Sequence, residues 1–228
     1  MGNFNWAEES SRLWDEKSNF WNSRSQEMWE NGSRKEIIPF FQKFVDEQAM
    51  VCDLGCGDGY GSLKLAQSGY AVTGVDFSEE MVHKATLLNS ENNSKFIKGD
   101  MAELPFSENQ FDAAMAINSL EWTEHPLKVL KEIQRIVNPG GKACIGILGP
   151  TAAPRVNSYR RLYGEQVVCN TMMPWEFEQL ATENHWRKIS EFGVYKRESE
   201  QLPTGSLSSS IRQAISFMWV FMLENIKE

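Results

Sequence analysis

Val51-Cys52-Asp53-Leu54-Gly55-Cys56-Gly57-Asp58-Gly59-Tyr60-Gly61 is a short apolar run that opens into four glycines at alternating positions. Glycine carries no Cβ and tolerates positive φ, so this spacing predicts a strand, a tight turn and a helix, with backbone brought close to a ligand. A dinucleotide-binding turn wants glycine at the third position after Gly57, and that position is Tyr60. Asp53 and Asp58 also flank and enter the turn. Beside a pyrophosphate two carboxylates would cost on the order of several kcal/mol in a low-dielectric site, whereas beside a cation they stabilise. The turn therefore reads as a site for a positively charged ligand.

S-adenosylmethionine carries an ammonium and a sulfonium, and Asp53-Leu54-Gly55-Cys56-Gly57-Asp58-Gly59-Tyr60-Gly61 resembles the first motif of class I S-adenosylmethionine-dependent methyltransferases of the small-molecule type. Val129 through Pro139-Gly140-Gly141-Lys142 is similar to a helix-turn-strand of the same family, which extends the resemblance over residues 50–148. The resemblance implies S-adenosylmethionine as methyl donor, S-adenosylhomocysteine as product, and adenine contacts from Asp100 and its successor Met101.

Composition sets the frame. At 228 residues with 41% hydrophobic content the chain is long enough for one globular domain. No run of about eighteen apolar residues occurs and no basic-apolar-small segment opens the chain, so a cytoplasmic protein without a membrane span is expected. Cys52, Cys56, Cys144 and Cys169 form no C-x-x-C pair and only three histidines could join them, so free thiols are expected and no metal site. A net charge of −8 disfavours a nucleic-acid partner and suits a small-molecule substrate. Nothing in the sequence fixes the oligomeric state.

Outward from the turn, apolar runs and turn residues predict strands over 50–54, 70–75, 95–98, 111–117, 142–148, 191–196 and 215–223. The last could instead be an apolar helix; as a strand it would run antiparallel. Helical periodicity lies between them, and α/β alternation over 50–148 argues a doubly wound, mostly parallel seven-stranded sheet with helices on both faces. Ser33-Arg34-Lys35-Glu36 reads as a capping box before the apolar positions Ile37, Phe40, Phe41 and Phe44, with Pro39 forcing a kink or a late start. Helices are also expected through about Gln67, over 79–88 with Met81, Val82, Ala85 and Leu88 inward and His83 outward, from Pro126, and over 175–181. Residues 202–210 read as a polar loop.

Residues 1–32 are set apart as an N-terminal helical segment and 33–228 as the catalytic domain, with 149–185 covering the substrate. Trp14, Trp21 and Met28 are seven apart and would share one helical stripe, either packing on the domain or closing over the ligand as a lid.

Asp76 follows the second strand about twenty residues beyond the turn, where a carboxylate can accept from both ribose hydroxyls. Phe77 could pack on adenine or in the core, and Ser78 caps the next helix. Asp100 sits just past the third strand, placed to accept from the adenine amine. The expected cofactor set is Arg34, Asp53, Gly55, Cys56, Gly57, Gly59, Asp76, Phe77, Ser78, Asp100, Met101, Ala102 and Asn118, with Arg34 favoured over Lys35 and Arg24 for the methionyl carboxylate because its planar fork suits two oxygens. Methyl transfer from an activated sulfonium needs alignment and exclusion of water more than a nucleophile on the protein. Glu121, Glu124 and His125 follow the fourth strand and are the candidates for a general base, with Glu121 and His125 foremost. A nicotinamide-dependent oxidoreductase, or a protein that binds the nucleoside without catalysis, are the rival readings.

Overall fold

The computed structural model describes residues 4–197 and 202–227. Its centre is a seven-stranded sheet: β1 Met50–Leu54, β2 Ala71–Asp76, β3 Lys95–Lys98, β4 Phe111–Ile117, β5 Val137–Leu148, β6 Trp186–Val194 and β7 Met218–Asn225. The order is β3-β2-β1-β4-β5-β7-β6. β3 to β5 pair in parallel, while β7 lies antiparallel between β5 and β6. The expected fold class is the one observed, and Ile215–Leu223 resolves to a strand that begins three residues later and is antiparallel.

Side-chain alternation divides the apolar residues between two faces. Cys52, Leu54, Ala114, Ala116, Trp219 and Phe221 face the helices α5 (Pro126–Ile136) and α6 (Pro174–Glu183), where Ile133 and Phe177 are wholly buried. Val51, Ala113, Met115, Met218 and Val220 face the other layer, made by Trp29 at the end of α1 (Trp6–Glu30), by α2 (Ile37–Phe41) and by Leu65 of α3 (Tyr60–Gln67). Helix α4 (Glu79–Leu88) follows β2, and a short α7 (Ser209–Ala214) precedes β7.

Several expectations are corrected. The Ser33 capping box does not form: α2 has Glu36 as its N-cap with no side-chain bond, because residues 31–36 are spent on a turn that leaves α1. Leu88 is exposed rather than inward, while His83 faces solvent as expected. β6 starts at Trp186, five residues early, and lies at the sheet edge with mostly half-buried residues, so it lacks a clean apolar signature. The segment 153–163 is a 3-10 helix, and the supposed loop 202–210 holds a 3-10 turn and the start of α7.

Candidate functional site

Strands of a parallel sheet end together, and the turns at their carboxyl ends enclose a ligand crevice. Here the turns after β1, β2, β3 and β4 line a cavity of about 360 Å³, roofed by α1. The stripe Ala7, Ser10, Trp14, Trp21, Ser25 and Met28 faces into it, all on one side of the 25-residue helix. Asn5 caps that helix by accepting from the amides of Ala7 and Glu8.

The glycine turn is a fitted piece. Gly55 and Gly57 have φ of +68° and +55°, and a Cβ on Gly55 would stand 2.4 Å from that of Ser119. At Gly57 nothing lies within 4 Å of such an atom: this is where backbone opens on the cavity. The turn's amides are largely committed, those of Gly55 and Cys56 to the Val75 carbonyl at 2.8 and 3.1 Å, and that of Gly57 to Asp76 Oδ2 at 2.8 Å. Close approach, rather than amide donation, is what the turn offers.

Asp76 also accepts from the Ser78 amide at 2.9 Å. Burial raises its pKa, and the amides of Ser78 and Gly57 oppose the rise. Asp58 is buried on the cavity wall and fastens the roof, accepting from Ser25 Oγ at 2.8 Å and Asn22 Nδ2 at 3.0 Å. Arg34, just beyond α1, reaches the wall with its guanidinium 5.5 Å from the centre of the Trp29 ring. Burial lowers its pKa, against the pull of Asp58, Asp53 and Glu121. Among the described residues its side chain has no ion-pair partner within 4 Å, so a cation stands ready for an incoming anionic group.

Of the expected cofactor residues, Arg34, Gly55, Cys56, Gly57, Asp76, Phe77, Asp100, Met101, Ala102 and Asn118 come together on the wall. Asp100 Oδ1 holds the Ala102 amide at 2.8 Å, and Asn118, at φ +55°, is pinned through its amide to the Gly146 carbonyl. Asp53, Gly59 and Ser78 lie off it. Strand parity turns Asp53 under α3, where it accepts from Ser62 Oγ at 2.6 Å and burial lifts its pKa to about 7. Gly59 is the N-cap of α3, pressed against Ala85 of α4. Ser78 caps α4 through the Met81 amide and donates to Asp15 of α1.

The two foremost base candidates separate. His125 stands exposed at the rim, 3.9 Å from Glu124. Glu121 is corrected: the 3-10 turn Leu120–Trp122 swings its side chain behind the wall, wholly buried, where it accepts the Leu148 amide, and burial raises its pKa to about 7. Sequence spacing missed Trp6, Trp122, Leu148, Pro154 and Phe217, which also line the cavity. Of residues 149–185, Pro154 is the one that reaches the wall. Ser119 Oγ and Trp21 Nε1 are buried there without a partner among the described residues, polar atoms left for a ligand. Among the described residues no cluster of His, Cys, Asp or Glu could hold a metal, and no helix is long and apolar enough to cross a membrane.

Comparison with known proteins gives a methyltransferase-domain family match over residues 52–145. The chain is 36% identical over 91 residues to a malonyl-[acyl-carrier protein] O-methyltransferase of Buchnera aphidicola, covering 40% of this chain and 36% of that one. It is 28% identical over 177 residues to a demethylmenaquinone methyltransferase of Lactococcus lactis, covering 75% and 66%. The chain thus spans about a third of the length of the first of these relatives. In fold it resembles a chain from the Haloferax volcanii complex of the Trm112 methyltransferase activator with a methyltransferase (TM-score 0.74, 18% identity, 94% and 98% covered) and an S-adenosylmethionine-dependent methyltransferase of Methanosarcina mazei (0.65, 18%, 83% and 98%). The family match runs from β1 into β5 with the glycine turn near its start, and the likeness to the solved methyltransferase structures is one of fold.

Proposed function

We propose that this protein transfers a methyl group from S-adenosylmethionine to a small-molecule acceptor. The observation that carries the reading is the division of charge on one wall: Asp58, Asp76 and Asp100 along the turns, and an unpaired Arg34 under the roof. The donor would supply an electrophilic methyl: the acceptor's lone pair would form the new bond, the carbon-sulfur pair would return to sulfur, and the acceptor's proton would pass out to solvent at the rim beside His125. Gly55 and Gly57 let backbone approach that donor. Asp76 would take the ribose hydroxyls, Asp100 and Met101 the adenine, and Arg34 the carboxylate. Asn118 and Ser119 hold the boundary with the acceptor, and α1 acts as a lid that keeps water out.

A cytoplasmic setting suits the four buried free cysteines, and the charge of −8 argues against nucleic acid as the acceptor. The fit is tested by thermal unfolding. A ligand that binds the native state alone adds about 2.7 kcal/mol at a hundredfold excess over its Kd, so S-adenosylmethionine and S-adenosylhomocysteine should raise Tm and NAD should not. Arg34→Ala should weaken S-adenosylhomocysteine by about 1.5–3 kcal/mol, the worth of hydrogen bonds to a charged group. A shift with NAD equal to the others, or none with any, refutes the reading.

A further inference from the structure

The cavity has two lobes of different chemistry. The turns after β1, β2 and β3 make one, and it is polar and charged. At the ends of β4 and β5 and just before β7 lies the other, walled by Trp6, Trp14, Trp122, Leu148, Pro154 and Phe217. Trp14 meets Trp122 edge-on, with ring centres 5.1 Å apart and planes at 77°, and both pack with Leu148 and Phe217. Two of the three indole N–H groups are spent inside the protein. Trp6 Nε1 donates to the Trp122 carbonyl at 2.9 Å, and Trp122 Nε1 donates to the Asn118 carbonyl at 2.8 Å. What Trp6 and Trp122 leave towards the lobe is carbon and π surface.

The charged residues that line the cavity next to this lobe, Glu124, His125 and Lys128, are exposed. Lys128 shares a face of α5 with Glu132 and Arg135, and those two bond the backbone of Leu104 and Phe106, so this face looks towards the loop after β3. Glu124 and His125 are exposed at the rim, and Glu121 is behind the wall. A carboxylate or an ammonium entering the second lobe would shed its hydration without an ionic partner there. The edge-on packing of Trp14 against Trp122 also occupies a ring face that a cation would need.

We propose that the methyl acceptor is an uncharged, flat ring compound, bound by its apolar body against Trp14, Trp122 and Phe217 with its nucleophilic atom turned towards Asn118 and Ser119. This rests on the methyl-transfer reading. It is tested by calorimetry on the full chain saturated with S-adenosylhomocysteine, using 2-naphthol, 2-naphthoate and choline as probes. 2-Naphthol should bind at least tenfold tighter than the other two. Trp14→Ala and Phe217→Ala should each weaken it about tenfold or more while the thermal shift with S-adenosylhomocysteine, which also reports folding, is retained. Preferred binding of naphthoate or choline, no binding of naphthol, or naphthol affinity untouched by both variants overturns the proposal. Loss of the S-adenosylhomocysteine shift in the unaltered protein would instead overturn the donor assignment.

Discussion

Glu121 and Asp53 are carboxylates whose positions oppose ionisation. Glu121 is wholly buried, one oxygen taken by the Leu148 amide and the other without a partner, and burial carries its pKa to about 7. The folded chain therefore keeps a proton that the unfolded chain, with an ordinary carboxylate pKa, releases. Where the native state binds more protons, stability falls as pH rises, here from the ordinary carboxylate range up to about 7, and is flat above it. Glu121→Gln keeps the acceptor for Leu148 and removes the titration. Urea unfolding at pH 5 and pH 8 should then show a smaller loss of stability in the variant than in the parent; equal losses would mean that Glu121 is ionised in the fold throughout. Glu121 attracted attention in the sequence because it follows β4, where reacting groups gather. Spacing along the chain could place it near the site but not choose which way a 3-10 turn points it. Asp53 is the same lesson in a strand, since one step of parity decides between cavity and helix floor.

The glycine turn and its two neighbouring helices separate what binds from what supports. Gly57 opens on the cavity with φ +55°, whereas a Cβ on Gly61, inside α3, would stand 2.5 Å from the Trp29 ring at the end of α1. Gly57→Ala adds a methyl where the ligand must approach and costs about 1–2 kcal/mol of backbone strain. Gly61→Ala overpacks the joint between α3 and α1 and should cost about 1–3 kcal/mol, with the ring displaced. Measured side by side, Gly57→Ala should lose the larger share of S-adenosylhomocysteine affinity and Gly61→Ala the larger share of Tm; the reverse order would mean that the turn is structural and the ligand sits elsewhere. The elements themselves were legible to the extent that burial patterned them. β1 and β4 lie where near-continuous apolar runs put them, and β3 where the short Phe96-Ile97 pair does. The first half of β6 escaped because an edge strand half open to solvent has no alternation to read, and the 3-10 helix over 153–163 mixes exposed Arg160 and Arg161 with exposed Val156 and Leu162 without a helical period.

Across the whole molecule, α1 is the one element that touches both lobes. Trp6 and Trp14 stand over the ring-lined lobe, and Ser25 and Met28 over the charged one. Three latches hold the helix down: Asp15 with Ser78, Asn22 and Ser25 with Asp58, and Glu30 with Tyr60 and Lys64. The sequence made the aromatic stripe visible through its seven-residue spacing, but the latches join residues 30 to 63 positions apart and left no local mark. A rigid roof shared by two ligands makes their binding energies interdependent, because whichever arrives first settles α1 for the second. Coupling of this kind is reciprocal by thermodynamic necessity, and typical values are about 5–150-fold. S-adenosylhomocysteine should therefore tighten 2-naphthol, and 2-naphthol should tighten S-adenosylhomocysteine by the same factor. Asn22→Ala with Ser25→Ala leaves both lobes intact on the sheet side and frees the middle of the roof, so the factor should fall towards one while each ligand still binds alone. Two ligands that bind independently in the parent protein would leave α1 as a fixed wall rather than a lid.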